Sequence, residues 1–231
     1  MQNIILFDTT GIHQEFLPLT FTRPVSDIRI GIFTIREKWE SRLPGIYSYD
    51  TADYLAVKYS MNIASNNFFI AGNVCPDEKL VASISSLSEC ESLFYGDELI
   101  AFYGSLDAFR KKDFGVKHTL NEEPFMIRKL YDIFLKNGEA LEADYRYIVS
   151  SGKSEPLSAS NRVIGDPCFP DGTPKIFIEP GAVVECSALN VTKGPVYIGK
   201  DAEIMEGVCI RAPFAACEHV VVNMGTKIYG A

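Results

Sequence analysis

A loop near the N-terminus carries the residues of this sequence that are best suited to binding a phosphate group. It follows a short apolar run and contains Gly11, Thr20 and Arg23, the last directly before a proline. A residue that precedes proline is held extended, so the loop backbone aims the Arg23 side chain. The arginine fork matches phosphate oxygens and carboxylates equally well. Arg23 is therefore predicted either to bind a phosphate or to tie the loop to Asp8 or Asp27.

Two further polar residues are candidates for the same site. Lys38 lies on a predicted helix that also carries Glu37 and Glu40, and a lysine there is either a solvated surface residue or a phosphate ligand. Asn73 follows an apolar strand and a glycine. Its amide either contacts a sugar or base of a bound nucleotide or simply makes the turn.

The elements that position these residues alternate between strand and helix over the first 120 residues or so. Such alternation indicates an α/β layer with a mostly parallel sheet, in which ligands bind beyond the carboxyl ends of the strands. The predicted strands are Asn3–Phe7, Ile46–Tyr49 and Phe68–Ala71, with a hairpin formed by Ser92–Tyr95 and Glu98–Tyr103. The predicted helices are Ile30–Leu43, Ala52–Tyr59, Asp77–Leu87, Leu106–Lys112 and Glu122–Ile148, the last interrupted at Gly138.

The last third of the chain has a different period, because small aliphatic residues recur there every six positions. A sixfold period fits neither a helix nor a plain strand, and it is typical of a parallel β-helix with three short strands per coil. A β-sandwich with evenly spaced strands is the alternative, although sandwich strands repeat at about 8–12 residues. The residues in register are Ile178, Val184, Ile198, Ile204, Ile210, Ala216, Val222 and Ile228, with a corner loop predicted around Lys193-Gly194-Pro195.

These patterns predict three segments: an α/β domain over residues 1–150, a polar serine-rich linker over 151–162, and a β-helix over 163–231. Polar, flexible stretches are where domain boundaries usually fall. Ile228 opens a hexad that stops at Ala231 with no capping element. A β-helix needs a cap at its end, so we expect the repeat to be incomplete at residue 231.

Composition limits the partners. The net charge of −8 and the pI near 5.0 argue against nucleic acid or an anionic membrane, but a nucleotide needs only a few local cations. No apolar run approaches the length of a membrane span. The six cysteines form no C-x-x-C pair, and we expect reduced thiols in a cytoplasmic protein.

The N-terminal loop resembles a motif of the sugar-nucleotide pyrophosphorylases, G-x-G-T-R-[ML]-x-P-L-T-x-x-x-P-K. Gly11, Pro18-Leu19-Thr20 and Pro24 match it without a gap. The second glycine is replaced by His13, the Thr-Arg pair by Gln14-Glu15, and the final lysine by Val25. Because the motif's cations offset charge on the transferring phosphates, a glutamate in the arginine position is expected to repel a triphosphate.

Residues Leu17–Trp39 resemble more closely a divergent bacterial subfamily described as glucose-1-phosphate thymidylyltransferase-like or N-acetylglucosamine-1-phosphate uridyltransferase-like. Its members join a shortened, Rossmann-like nucleotidyltransferase domain to a hexapeptide-repeat domain. The resemblance covers essentially the whole chain and implies that the β-helix is left-handed and that the complete protein is a homotrimer, with weaker association expected for these 231 residues alone.

The resemblance also implies a reaction and a site. The reaction converts a nucleoside triphosphate and a sugar 1-phosphate into an NDP-sugar and pyrophosphate. Arg23 and Lys38 would then be catalytic, and Gly11, Thr20 and Asn73 would bind the nucleotide. Gly96-Asp97 resembles the Gly-Asp that holds Mg²⁺ in the pyrophosphorylases, and it is equally an ordinary hairpin turn. His219 lies in the repeat domain, where hexapeptide acyltransferases often use a histidine as general base; it is otherwise a surface corner residue.

Three hypotheses remain open at the level of sequence. The first is a nucleotidyltransferase with an attached acyltransferase-type β-helix. The second is a catalytically eroded scaffold that still binds a nucleotide or sugar, and the substitutions at His13, Glu15 and Val25 favour it. The third is an acyltransferase whose N-terminal domain chooses the acceptor.

Overall fold

The computed structural model describes residues 2–230, which form two compact units. The first unit comprises the residues up to Arg29 together with Phe33–Ile133, and the second comprises Ile30–Ile32 together with the residues from Phe134 onward. The division by contacts therefore falls before the predicted boundary at residue 150, which stays a prediction. The predicted interruption of the repeat at Ala231 lies outside the described residues.

A six-stranded mixed sheet forms the centre of the first unit. Strands β4, β1 and β5 are parallel, β7 runs antiparallel to β5 and β6, and β8 runs parallel to β6, in the order β4-β1-β5-β7-β6-β8. The strands of this sheet are β1 (Gln2–Phe7), β4 (Gly45–Asp50), β5 (Asn67–Ala71), β6 (Glu91–Tyr95), β7 (Glu98–Gly104) and β8 (Val116–Thr119); β2 (Arg29–Ile30) and β3 (Phe33–Thr34) form a separate hairpin.

Short helices connect the strands, and several begin at a side chain that caps the helix. Thr34 accepts a hydrogen bond from the Glu37 backbone at the start of α2 (Ile35–Arg42), and the Glu37 carboxylate binds the Thr34 backbone in return. This capping box satisfies two backbone N–H groups that a helix start otherwise leaves unpaired. The other helices of this unit are α1 (Thr10–Glu15), α3 (Asp53–Ala56), α4 (Glu78–Ser85) and α5 (Leu106–Lys111), and α6 (Asp132–Leu135) lies at its end.

The predicted strands and the hairpin are confirmed. The predicted helices are shorter than expected, with α3 covering only Asp53–Ala56 of the predicted Ala52–Tyr59, and two of them begin later in the sequence than predicted. The first does not begin at Ile30, because Gly31 has a φ of +76° and turns the chain between β2 and β3. The second does not include residues 122–131, where Cys75 N–H donates to the Phe125 carbonyl and Val74 bridges Met126. Apolar periodicity alone did not reveal these pairings, since both depend on residues distant in sequence.

The second unit confirms the predicted left-handed parallel β-helix. Its strands pass in turn through three parallel sheets, of order β10-β13-β16, β11-β14-β17 and β18-β15-β12-β9. The in-register residues Ile178, Val184, Ile198, Ile204 and Ile210 are buried in its core, together with Leu189. The strands are β9 (Arg162–Ile164), β10 (Ile176–Ile178), β11 (Val183–Val184), β12 (Ala188–Asn190), β13 (Val196–Ile198), β14 (Glu203–Ile204), β15 (Cys209–Arg211), β16 (Phe214–Ala216), β17 (Val221–Val222) and β18 (Lys227–Ile228).

Two segments outside the repeat pack within the same unit. Helix α7 (Asn137–Ser151) receives Ile30–Ile32, since the Ile32 N–H donates to the buried Asp144 carboxylate at 2.9 Å. In the predicted linker, the Glu155 N–H donates to the Ile178 carbonyl and Asn161 Nδ2 donates to the Val184 carbonyl. The segment therefore extends the hydrogen bonding of the first coil.

Between residues 2 and 230 we find no helix with both the length and the apolar character needed to cross a membrane. The six cysteines are free thiols.

Candidate active site

A groove of about 260 Å³ opens in the first unit beside the loop that follows β1. Thr22, Arg23 and Asp27 come from that loop, and Lys58 and Tyr59 come from the segment that follows β4. Because β1 and β4 are parallel, both segments leave the sheet at its carboxyl edge, where α/β proteins bind ligands. The remaining lining residues are Thr34 and Arg36 at the start of α2.

The groove carries three cationic side chains and one acidic side chain. Arg36 is already paired, since its Nε donates to Asp27 at 3.1 Å and its Nη1 donates to Glu40 at 2.8 Å. Arg23 is exposed and makes no ion pair within residues 2–230, and Lys58 contacts only the Tyr59 ring, with its Nζ 5.1 Å from the ring centroid. Arg23 and Lys58 are thus available to an anion. The structure does not pair Arg23 with Asp8 or Asp27.

Side chains on the neighbouring elements fasten the loop after β1. Thr20 Oγ1 donates to the His13 carbonyl at 2.7 Å, and Tyr54 Oη donates to the Thr20 carbonyl at 2.9 Å. Tyr59 Oη donates to the Thr22 carbonyl at 3.3 Å. These bonds hold the part of the loop that carries Arg23, so Arg23 is presented by an ordered backbone.

Asp8 lies beneath this loop, at the point where the chain order reverses between β1 and β5. Its Oδ2 accepts from the Val25 N–H at 3.1 Å and from Thr51 Oγ1 at 2.8 Å. Its Oδ1 has no hydrogen-bond partner among residues 2–230 and faces Gly72, where a Cβ would lie 2.8 Å away. Burial raises the pKa of Asp8 to about 6, and the hydrogen bonds from Thr51 and Val25 offset only part of that cost.

His13 lies next to Asp8 and fills the loop. Because the Tyr54 hydroxyl donates to Thr20, it accepts from His13 Nε2, which lies 3.0 Å away. This network assigns the proton to Nε2 and leaves Nδ1 bare in the neutral ring. Nδ1 has no hydrogen-bond partner among the described residues and lies 3.7 Å from Asp8 Oδ2. Two acceptors therefore face each other unless one of them takes up a proton.

The three predicted nucleotide-binding residues lie in different surroundings. Gly11 is exposed in the first turn of α1, and a Cβ there would meet nothing within 4 Å. Thr20 is fully buried with its hydroxyl bound to the loop backbone. Asn73 is buried and its amide donates to the Ile127 carbonyl at 2.8 Å. None of the three lines the groove, and their nucleotide contacts stay predictions.

The two remaining site predictions also lie outside the groove. Lys38 is not the solvated surface residue that its charged neighbours suggested, because only 3% of it is exposed. Asp97 is exposed beside Gly96 in the turn between β6 and β7. No group of three or more His, Cys, Asp or Glu side chains in residues 2–230 is arranged to hold a metal ion. Mg²⁺ is commonly held by one or two carboxylates together with substrate phosphates, and the metal role of Asp97 stays a prediction.

Comparison with known families identifies the domain that contains this groove. The family model for sugar nucleotidyl transferases matches residues 4–153, which is 150 of the 231 residues. The chain belongs to the sugar nucleotidyl transferase family. No curated protein matches it. The matched range contains β1 from Ile4 onward, the loop after it, and all seven residues that line the groove.

Of the seven groove residues, only Arg23 was a predicted site residue. Lys58 and Tyr59 follow the second parallel strand, so the rule that pointed to the loop after β1 applied to them equally. The side chain of Arg36 also reaches the groove, whereas Arg29 pairs with Glu37 at 3.4 Å.

Proposed function

We propose that this protein transfers a nucleotidyl group from a nucleoside triphosphate to a sugar 1-phosphate, with phosphate groups bound by Arg23 and Lys58. Family membership supports the reaction class. The single observation that carries the site is the presence of two unpaired cations in a groove at the carboxyl edge of the parallel strands.

In this reaction a phosphate oxygen of the sugar phosphate attacks the α-phosphorus, and the bond from that phosphorus to the bridging oxygen breaks. The bridging oxygen leaves with the electron pair as part of pyrophosphate. Negative charge is shared by the attacking phosphate, the transferred phosphoryl group and the leaving group in the transition state, and a fixed cation beside these reacting phosphates lowers the barrier. Arg23 is suited to this role because its loop is fastened by Tyr54 and Tyr59.

The test is pyrophosphate release with each common nucleoside triphosphate, paired with glucose 1-phosphate or N-acetylglucosamine 1-phosphate in Mg²⁺ buffer. Arg23→Ala should lower kcat by about 10²–10³, the scale for removing one transition-state donor. Arg29→Ala is the matched control, because Arg29 lies in β2 directly after this loop but pairs with Glu37 and does not line the groove. Equal rates for the Arg23 and Arg29 variants would count against the assignment.

A second candidate function is a scaffold that binds a nucleotide or sugar without turnover. It is favoured by one observation: His13, which replaces a motif glycine, packs over Asp8 and is only 8% exposed. The loop interior is thus filled by its own side chains. A wild-type protein that binds a nucleotide and releases no pyrophosphate with any pair supports this function instead.

Acyl transfer by the β-helix stays a prediction. His219, the last histidine of the chain, is exposed at a corner with a φ of +58° and lies 3.3 Å from the Glu218 carboxylate. This placement matches a surface corner residue and supplies no separate argument for a general base.

A further inference from the structure

Asp27 is the one acidic residue among the seven that line the groove. Its Oδ1 accepts from Arg36 Nε at 3.1 Å and from Tyr49 Oη at 3.0 Å. Burial and the nearby Asp27 charge raise the pKa of Tyr49, so Tyr49 keeps the proton that it donates. Asp27 is therefore held in one orientation by two donors on different elements.

The second carboxylate oxygen of Asp27 takes no part in these contacts. Oδ2 accepts no hydrogen bond from residues 2–230 and is not one of their fully buried, unpaired polar atoms, so it is open to solvent and can accept a hydrogen bond from a ligand. The ion pair with Arg36 on α2 uses Oδ1 and does not require Oδ2. A carboxylate beside a phosphate site also repels the phosphate, so phosphate binding does not account for Oδ2 either. Ionised carboxylate oxygens only accept hydrogen bonds. Oδ2 is thus suited to a ligand that carries hydroxyl groups as well as a phosphate.

The groove is small. Its volume of about 260 Å³ lies below the roughly 300–1,000 Å³ of sites for drug-sized molecules. It is of a size to hold a small ligand such as a monosaccharide phosphate, and a larger ligand would extend beyond it. Arg23 and Lys58 supply the cations for its phosphate group, and Asp27 supplies the acceptor for its hydroxyl groups.

We propose that Asp27 selects a sugar phosphate, by accepting hydrogen bonds from the sugar hydroxyls while Arg23 and Lys58 bind the phosphate. The inference rests on the proposed function in taking this groove as the substrate site. It adds the residue that distinguishes a sugar phosphate from any other phosphate.

The experiment measures the binding of glucose 1-phosphate and of inorganic phosphate by calorimetry, for the wild type and Asp27→Asn. If the asparagine oxygen keeps the bonds from Arg36 and Tyr49, its amide nitrogen takes the place of Oδ2 and can only donate. A hydrogen bond to a charged group contributes enough that its loss weakens binding about 10- to 100-fold. We expect that loss for glucose 1-phosphate, whereas inorganic phosphate should bind the variant as tightly or more tightly, because a negative charge has gone.

Glu40→Gln is the matched control. Glu40 pairs with the same Arg36 but does not line the groove, so this variant removes an equal charge without removing the acceptor. It should leave the ratio of the two affinities unchanged. A second comparison uses the wild type alone and so does not depend on whether a variant folds. Glucose 1-phosphate should bind the wild type at least about tenfold more tightly than ethyl phosphate, which lacks sugar hydroxyls.

Three outcomes would overturn the inference. Asp27→Asn could weaken the binding of both ligands equally, the wild type could bind glucose 1-phosphate and ethyl phosphate with equal affinity, or none of these ligands could bind. Its failure is distinguishable from that of the proposed reaction. Asp27-dependent binding without pyrophosphate release refutes only the reaction. Turnover with an unchanged KM for the sugar phosphate in Asp27→Asn refutes only the role of Asp27.

Discussion

The buried carboxylate of Asp8 gives the most direct test of the site's electrostatics. Its side chain is 2% exposed, and burial raises its pKa from 3.8 to about 6. The folded state therefore holds the Asp8 proton more tightly than the unfolded state does. Below pH 3.8 both states are protonated, and the group has no pH-linked effect. As the pH rises through 6, the folded protein must ionise a buried group, and stability is lost.

The magnitude follows from the shift. A difference of 6 − 3.8 = 2.2 pKa units at 1.36 kcal/mol per unit corresponds to a complete loss of about 3 kcal/mol of stability, of which about 2.4 kcal/mol falls between pH 4 and pH 7. Asp8→Asn removes this pH dependence, because an amide does not ionise. Its carbonyl oxygen can still accept from Val25 and Thr51. We expect the variant to gain about 2.4 kcal/mol relative to the wild type as the pH is raised from 4 to 7.

The assay is urea unfolding at a series of pH values, followed by the fluorescence of Trp39. Trp39 is the one tryptophan of the chain, is fully buried, and donates to the Val74 carbonyl, so its signal reports the first unit. Asp97→Asn is the control, since it removes the same charge from an exposed turn. Titrations common to all variants cancel in the differences. If the Asp8→Asn and wild-type curves stay parallel across this range, the account of Asp8 is wrong.

Two further predictions concern backbone geometry and assembly. Gly115 and Gly96 have similar positive φ angles of +53° and +57°, but a Cβ at Gly115 would overlap the Cys90 carbonyl while one at Gly96 meets nothing within 4 Å. Gly96→Ala should therefore lower the free energy of unfolding by about 1–2 kcal/mol. Gly115→Ala should lower it by about 1–3 kcal/mol more. Urea unfolding measures both values, and equal losses would contradict the prediction. We also predict a homotrimer formed through the β-helices, where Val183 and Val221 are exposed; light scattering that gives the monomer mass at micromolar concentration would refute it.

The β-helix could be predicted from the sequence because its signal is local and repeated. Each of the in-register residues from Ile198 to Val222 is buried in the core. Small aliphatic residues at one fixed spacing were therefore enough to predict the position of the β-helix. The α/β sheet could also be predicted, since apolar strands such as Phe68–Ala71 are buried as continuous runs. The loop at Lys193-Gly194 falls where the extra residues interrupt the period.

The details that the sequence did not predict depend on contacts between distant residues. The turn at Gly31 separates β2 from β3, and the Gly31 N–H donates to Asn137, 106 positions away. The buried state of Lys38 and the bonds of Thr20 and Asn73 likewise depend on packing partners that no local pattern reveals. Residue types in the loop thus indicated the region of the site, but not which side chains face the groove.

The charge of the altered loop shows why this distinction matters. Read along the sequence, Glu15 replaces a motif arginine and should repel a phosphate. In the structure Lys129 Nζ lies 2.7 Å from the Glu15 carboxylate, and this hydrogen bond raises the pKa of Lys129. The loss of the motif lysine at Val25 is likewise accompanied by Lys58, which enters the groove from the segment after β4. Electrostatic potential depends on distance through space, so substitutions that read as erosion in one loop are compatible with a cationic groove supplied by its neighbours.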